Sequence, residues 1–194
     1  MGIITRGFFG KREQNPDIPP GQYLEKGFPV LSIGPTPNIH EWAFSIDAGP
    51  AGVRRWTADE FAALPREDIH TDLHCVTRWS KLGTTWHGVS LDTLFAEVET
   101  EYDYVMQHSY GGYTTNTPYE DLRDGKAWIA HTFEGEPLDP EHGGPARLIV
   151  PHLYFWKSAK WIRGLEMMSN DDPGFWEQNG YHIYGDPWQE QRYW

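Results

Sequence analysis

Residues 72–95 have the sequence DLHCVTRWSKLGTTWHGVSLDTLF, which contains the only cysteine of the chain, Cys75. Ahead of it, Ile69, Leu73 and Cys75 fall on one phase of an alternating pattern that is typical of a β-strand. Further on, Ser90 stands directly before a run of apolar residues with helical spacing, and serine is a favoured helix N-cap. The stretch therefore predicts a strand with the cysteine near its end, followed later by a short helix.

The surroundings of Cys75 leave three roles open. A lone cysteine is often a buried structural residue, and it can also be a nucleophile activated by one of the nine histidines. A soft thiolate is also a good ligand for a heavy or borderline metal, and the nearby Arg78 would favour the thiolate. Zinc is one such metal, with His70 and His74 as further donors, but no CxxC partner and no HxxxH further along the chain completes a four-ligand set.

Composition narrows the class of protein. The chain has 194 residues, 39% of them hydrophobic, which suits one globular domain. A net charge of −12 argues against nucleic-acid binding, which requires a basic face. A single cysteine cannot form an internal disulfide, no secretory signal is evident, and no segment is long and apolar enough to span a membrane. We therefore predict a cytoplasmic protein with no membrane segment and no nucleic-acid partner.

The order of predicted elements indicates a single domain of the α+β class. Residues 1–27 are predicted to form an irregular N-terminal arm, and residues 28–194 form the domain, including a C-terminal tail that wraps over the core. A capping box starting at Thr57 predicts a helix from Ala58 to before Pro65. Another short helix is predicted at 118–123. Strands are predicted at 41–47, 69–75, 102–107, 127–133, 147–150 and 160–168, outnumbering the helices and alternating with them irregularly.

Several blocks together resemble the sulfite-oxidase-like molybdopterin-dependent oxidoreductases. Residues 72–95 resemble the family's metal-binding segment, in which a cysteine at a strand end precedes a polar loop, a Trp-x-Gly-Val turn (here 86–89) and a helix. The similarity continues in GGPARLIVP (143–151) and YFWKSAKWI (154–162), and FPVLSIGPTP (28–37) resembles the family's pterin-contacting loop. Blocks that are separated in the chain but occur in the family's order make this resemblance specific.

The resemblance implies a cofactor and a set of site residues. Molybdenum would be held by the dithiolene of a molybdopterin and by the thiolate of Cys75, the expected metal ligand. Arg147, with Ser158, Ala159 and Lys160, would bind the terminal phosphate of the pterin, consistent with the phosphate chemistry of such groups. Further cofactor contacts are expected from Leu31, Ser32, His74, His108 and His142. Arg78 and Tyr113 are candidate catalytic residues on the open side of the metal.

The resemblance also implies an activity, namely two-electron oxygen-atom transfer at the metal. The expected substrate is a small oxyanion such as sulfite, or an S-oxide or N-oxide that is reduced. The sequence CVTRWS at 75–80 lacks the arginine set of the animal and plant sulfite oxidases, so both substrate classes remain open. Electrons would pass to or from a separate electron-transfer protein. A non-catalytic molybdopterin carrier would use the same anchoring residues.

Overall fold

The computed structural model describes residues 15–194, in which two β-sheets are connected by loops and short helices. With strands numbered in chain order, the first sheet consists of β1 (Tyr23–Leu24), β4 (Glu67–His74), β5 (Trp79–Ser90), β8 (Trp128–Phe133), β9 (Glu136–Pro137) and β10 (Arg147–Ile149). The second sheet consists of β2 (Ala43–Asp47), β3 (Val53–Thr57), β6 (Tyr104–Ser109), β7 (Thr114–Pro118) and β11 (Ile162–Met168). Of the arm predicted at 1–27, residues 1–14 lie outside the described residues, and residues 15–27 contain β1.

Strand β5 organises the first sheet. It forms a long antiparallel hairpin with β4, while β8 and the two-residue parallel strand β1 pair with its other edge. Strand β10 extends the sheet beyond β8. The second sheet has the order β3-β2-β11-β6-β7, with β2 and β11 parallel and the other neighbours antiparallel. This mixed arrangement with few, short helices confirms the predicted α+β class.

The first sheet packs against an apolar cluster on each face, since successive side chains of a strand point to opposite faces. One face of it contributes residues such as Val89 and Leu148 to the main core, which they share with Phe44 and Leu165 of the second sheet. The opposite face carries a second cluster of mainly aromatic and aliphatic residues, which includes Cys75. The cysteine therefore lies on the side of the first sheet that faces away from the main core.

The helices are short: α1 (Ala58–Ala62), α2 (Leu91–Phe95) and α3 (Phe175–Gln178). The predicted capping box is present at the start of α1, where the side chain of Thr57 accepts from the backbone of Glu60 and the Glu60 side chain accepts in return. Ser90 caps α2 as predicted. The helix predicted at 118–123 is a single 3₁₀ turn, Tyr119–Asp121. Within residues 15–194, no helix has the length and apolar character needed to cross a bilayer.

The Trp-x-Gly-Val turn expected at 86–89 is wrong, because residues 79–90 form the single strand β5, and the polar loop expected after the cysteine ends at Arg78. Gly88 marks a register shift against β8, and a Cβ there would lie 2.3 Å from the Ile129 carbonyl oxygen. Glycine is therefore required by close backbone approach within a strand, not by a turn.

Candidate active site around Cys75

Cys75 lies in the hairpin loop between β4 and β5, formed by residues 75–78. The Cys75 amide donates to the Trp79 carbonyl at 2.9 Å, and the Arg78 amide donates to the Cys75 carbonyl at 2.9 Å. Arg78 has a left-handed backbone conformation (φ 77°), which completes a type I turn followed by a left-handed residue. The backbone of this loop is thus defined by the hairpin, and the cysteine side chain emerges at the end of β4.

Cys75 is 7% exposed and lines a cavity. The Thr77 hydroxyl donates a hydrogen bond to its sulfur at 3.1 Å. Burial raises the pKa of the Cys75 thiol, while the Thr77 hydrogen bond and the charge of Arg192 act in the opposite direction. Such a thiol is protonated at neutral pH unless a metal ion displaces the proton, as metal ions bound to thiols do.

Side chains from distant parts of the sequence hold the cysteine loop in place. The Gln22 amide nitrogen donates to the Cys75 carbonyl at 3.0 Å. Arg192, in the C-terminal tail, donates to the Val76 carbonyl at 2.8 Å and to the Pro20 carbonyl at 3.2 Å. Arg192 is 6% exposed, and its guanidinium carbon lies 4.9 Å from the centroid of the Tyr154 ring. The tail and the N-terminal segment therefore fix the position of the loop that presents the sulfur.

The cavity beside Cys75 has a volume of about 290 Å³. One part of its wall is aromatic and apolar and surrounds the cysteine, and another part carries cationic side chains. Its lining includes Phe28, Leu31, Ser32, Cys75, Val76, Thr77, Tyr113, His142, Arg147, Phe155, Trp156, Ser158, Lys160, Trp176 and Tyr181. A concave apolar site with a few convergent polar groups is the usual form of a small-molecule site.

Arg147 is a buried cation in the wall of this cavity. It is 1% exposed and donates to the carbonyls of His142 and Ser158, each at 2.8 Å, while its guanidinium lies 4.0 Å from the Phe155 ring centroid. Its Nε–H has no hydrogen-bond partner within residues 15–194, and no described carboxylate lies within 4.0 Å of it. Burial lowers its pKa to about 9, so it stays charged at neutral pH. A buried charge without a counter-ion is costly, so this geometry calls for an anionic ligand.

Lys160 and His142 lie next to Arg147 and add to the polar part of the cavity. The Lys160 amine donates to the Glu141 carbonyl at 2.6 Å, and burial followed by the Arg147 charge lowers its pKa to about 8. His142 stacks on Phe28 with the ring centroids 3.9 Å apart. Its buried Nδ1 has no partner among the described residues, and burial, followed by the Lys160 and Arg147 charges, lowers its pKa. The mutual repulsion of these groups would be relieved by a bound anion.

Comparison with known proteins shows the family to which the chain belongs. Residues 33–176 match the family model described as "Oxidoreductase molybdopterin binding domain". The chain belongs to this family. It is 41% identical over 194 aligned residues to the uncharacterized oxidoreductase YuiH of Bacillus subtilis, covering 96% of this chain and 98% of that protein. The recognition made from the sequence is thereby confirmed, and the chain is a molybdenum-dependent oxidoreductase.

Other members of the oxidoreductase family are more distant or longer. A putative protein-methionine-sulfoxide reductase subunit, YedZ1 of Azospira oryzae, is 30% identical over 67% of this chain and 50% of its own length. The mitochondrial sulfite oxidase of Drosophila melanogaster is 23% identical over 93% of this chain and 35% of its own length. The sulfane dehydrogenase SoxCD of Paracoccus pantotrophus has the same fold (TM-score 0.61, 20% identity, 72% of this chain and 40% of that chain).

The cavity fits the molybdopterin cofactor of the family on two structural observations. Arg147 and His142 both line the cavity, and the Nε–H of Arg147 and the Nδ1 of His142 have no hydrogen-bond partner among residues 15–194. The same cavity brings the soft sulfur of Cys75 together with these cationic groups, as a ligand with a metal and a phosphate requires. In contrast, the described residues contain no cluster of three or more His, Cys, Asp or Glu side chains that could hold a metal alone, so the zinc set considered from the sequence is not assembled.

Most of the predicted site residues line this cavity. They are Leu31, Ser32, Cys75, Tyr113, His142, Arg147, Ser158 and Lys160. Tyr113 is 9% exposed, and its hydroxyl donates to the Trp156 carbonyl at 2.6 Å. Burial, followed by the Glu177 charge, raises the pKa of Tyr113 well above its usual value, so it keeps its proton.

The structure does not bring the other four predicted residues into the cavity lining. On β6, buried Gln107 and Ser109 bind the loop at 157–160, so the alternation of the strand turns His108 to the opposite face, where Nε2 lies 2.9 Å from Glu166. His74 shares a hydrogen bond with Ser80. Two further residues complete this set: Arg78 is exposed at the hairpin tip, and the Ala159 amide donates to the Gln107 side chain.

The cavity also contains residues that the sequence did not predict. Thr77 contacts the sulfur directly, and Phe28, Phe155 and Trp156 form part of the aromatic wall. Trp176 and Tyr181 reach the cavity from the tail and stack on each other with centroids 4.7 Å apart. Burial, followed by the charge of Tyr193, raises the pKa of Tyr181. The density of aromatic residues in the tail was the signal that could have identified this wall.

Proposed function

We propose that the chain binds molybdenum-molybdopterin in the cavity described above, with the Cys75 sulfur as protein ligand to the metal, and catalyses two-electron oxygen-atom transfer. The observation that carries this proposal is the buried guanidinium of Arg147, which has no carboxylate counter-ion among the described residues and shares a cavity with the Cys75 sulfur. When bound, the cofactor supplies the site of oxygen-atom and electron transfer.

Different residues of the cavity would contact different groups of the cofactor. Arg147 and Lys160 provide positive charge for the pterin phosphate, and Arg147 keeps several N–H donors available after its two carbonyl contacts. The hydroxyl of Ser158 accepts from the Val150 amide at 2.9 Å, which leaves its proton free for a ligand. His142 lines the cavity, and its Nδ1 has no partner among the described residues. The aromatic wall from the tail restricts the access of water to the region beside Cys75.

A neutral S-oxide or N-oxide is favoured over sulfite as the substrate. Arg147 and Lys160 are the only arginine and lysine side chains in the described lining, and both are assigned to the cofactor phosphate. Around Cys75, apart from Thr77, the wall consists of Val76 and of aromatic residues such as Trp156 and Trp176, which would not compensate the charge of an oxyanion. Reduction of an S-oxide consumes two electrons and two protons and yields a sulfide and water. The relative named as a putative methionine-sulfoxide reductase subunit is consistent with this direction.

Electrons for such a reaction would come from a separate electron-transfer protein, and we place the chain in the cytoplasm. A non-catalytic cofactor carrier is the competing function, because it would use the same anchoring residues.

Metal analysis of the purified protein, combined with dye-coupled turnover of sulfite, sulfoxides and N-oxides, tests the proposal. We expect molybdenum near one atom per chain and reduction of a sulfoxide or N-oxide. Bound cofactor with no turnover of any compound would favour the carrier, and turnover of sulfite alone would contradict the assignment to a neutral oxide.

A further inference from the structure

The Thr77 side chain makes a contact that the hairpin does not require. The hairpin is closed by backbone hydrogen bonds of Cys75, Arg78 and Trp79, none of which involves the Thr77 hydroxyl. The central positions of a type I turn accept most residue types. A hydroxyl at such a position commonly bonds to nearby backbone, yet here it donates to the Cys75 sulfur at 3.1 Å. The turn explains the backbone at residue 77 but leaves the hydroxyl contact unexplained.

The backbone next to this hydroxyl is held in place by distant parts of the chain. Gln22 holds the Cys75 carbonyl and Arg192 holds the Val76 carbonyl, so the peptide groups that precede Thr77 are fixed by both ends of the described chain. Thr77 itself is exposed at the cavity lining. The sulfur and the hydroxyl donor therefore lie together at the cavity, on a backbone that tertiary contacts hold.

A hydrogen bond to a ligating sulfur has a defined electronic effect. The donor withdraws electron density from the thiolate, so the sulfur donates less to the metal. A weaker donor destabilises the oxidised, more electron-poor metal more than the reduced metal. The reduction potential of the centre therefore rises.

We propose that Thr77 is a positioning residue that hydrogen-bonds the Cys75 sulfur while this sulfur is bound to the metal, and thereby raises the reduction potential of the centre. This inference rests on the proposed function, because it requires Cys75 to be the metal ligand. It adds to that function a residue that regulates the redox chemistry without contacting substrate.

A redox titration of the cofactor-loaded protein, followed by the electron paramagnetic resonance signal of Mo(V), tests this inference. Thr77→Val removes the hydroxyl at nearly constant shape, and we expect a shift of the Mo(VI/V) midpoint to more negative potential together with altered g-values. Thr77→Ser restores a hydroxyl and is expected to restore the wild-type potential. Thr132→Val, on strand β8 and outside the cavity lining, is the matched control and is expected to leave the potential unchanged.

The possible failures are distinguishable. A loaded Thr77→Val protein with the wild-type potential and signal overturns the role of Thr77 and leaves the proposed function intact. A shift of the same size in Thr132→Val also overturns it. Protein that binds no molybdenum overturns the proposed function and this inference together. If Thr77→Val does not load, Thr77→Ala is used in the same titration with the same expectation.

Discussion

The amine of Lys157 lies 2.7 Å from Oε1 of Glu177, and both side chains are completely buried. Lys157 also donates to Asn116 and to the Ile183 carbonyl, while the same Glu177 oxygen accepts from Thr115 and from the indole of Trp156. This ion pair connects the cofactor-binding segment around 157–160 with helix α3 of the tail. It fixes the aromatic wall of the cavity because Trp156 and Trp176 are next to its members in sequence.

We expect Glu177→Gln to lower the free energy of unfolding by roughly 3–5 kcal/mol, because it leaves the buried Lys157 charge uncompensated. Urea unfolding of the cofactor-free protein measures this. The matched control is Glu97→Gln, which breaks the half-exposed pair with Arg54 and is expected to cost at most about 1 kcal/mol. Equal effects of the two substitutions would show that the buried pair has no special role.

The second expectation concerns retention of the cofactor. Arg147→Met removes the buried cation and is expected to lower the molybdenum content roughly tenfold or more, since a charge-assisted hydrogen bond contributes about 1.5–3 kcal/mol. Arg163→Met, an exposed substitution on β11, is the control and is expected to retain the metal. Metal analysis of both proteins after the same purification measures their molybdenum content. Full metal content in Arg147→Met would remove Arg147 from the cofactor site.

The third expectation concerns pH and uses the lowered pKa of Lys160. In the cofactor-free protein this pKa is about 8, below its usual 10.5, so the amine loses its charge as the pH rises through 8. The affinity of the cavity for inorganic pyrophosphate should therefore be highest below pH 8 and fall towards pH 9, where Arg147 also begins to lose its proton. Calorimetric titration with pyrophosphate at several pH values across this range measures the affinity. Lys160→Met should bind more weakly and lose the step near pH 8, and an unchanged pH profile would contradict the assignment.

The same pKa shift also has a consequence for folding. Because the folded state binds the Lys160 proton less tightly than the unfolded state, its contribution makes the cofactor-free protein more stable as the pH rises from about 8 to about 10.5. Thermal unfolding of the wild-type protein and of Lys160→Met at several pH values measures this contribution. We expect the melting temperature of the wild type to rise relative to that of Lys160→Met over this interval. A constant difference between the two melting temperatures would contradict the burial of the amine.

Local patterns in the sequence were sufficient to predict the strand that leads to Cys75 and the capped helices α1 and α2. These features depend on neighbours within a few residues, whose alternation or capping chemistry is visible directly. Strand β5 was missed because its register depends on Gly88 meeting the backbone of Ile129, a contact between segments about forty residues apart.

The site was predictable in part for the same reason. Arg147, Ser158 and Lys160 occur in motifs with a family resemblance, whereas Gln22, Arg192 and Tyr181 approach Cys75 only after folding. His108 was expected at the cofactor from the family resemblance, which does not show which phase of β6 faces inward. Buried hydrogen bonds of Gln107 and Ser109 decide that phase, and polar residues carry no hydrophobic pattern from which to infer it.

X-ray absorption at the molybdenum edge, compared between wild type and Cys75→Ser, tests the central claim most directly. We expect Cys75→Ser to remain folded and to retain much of its pterin, but to show one sulfur neighbour fewer at the metal and to lose turnover. An unchanged number of sulfur neighbours in Cys75→Ser, with full turnover, would show that the Cys75 sulfur is not a ligand and would contradict the account.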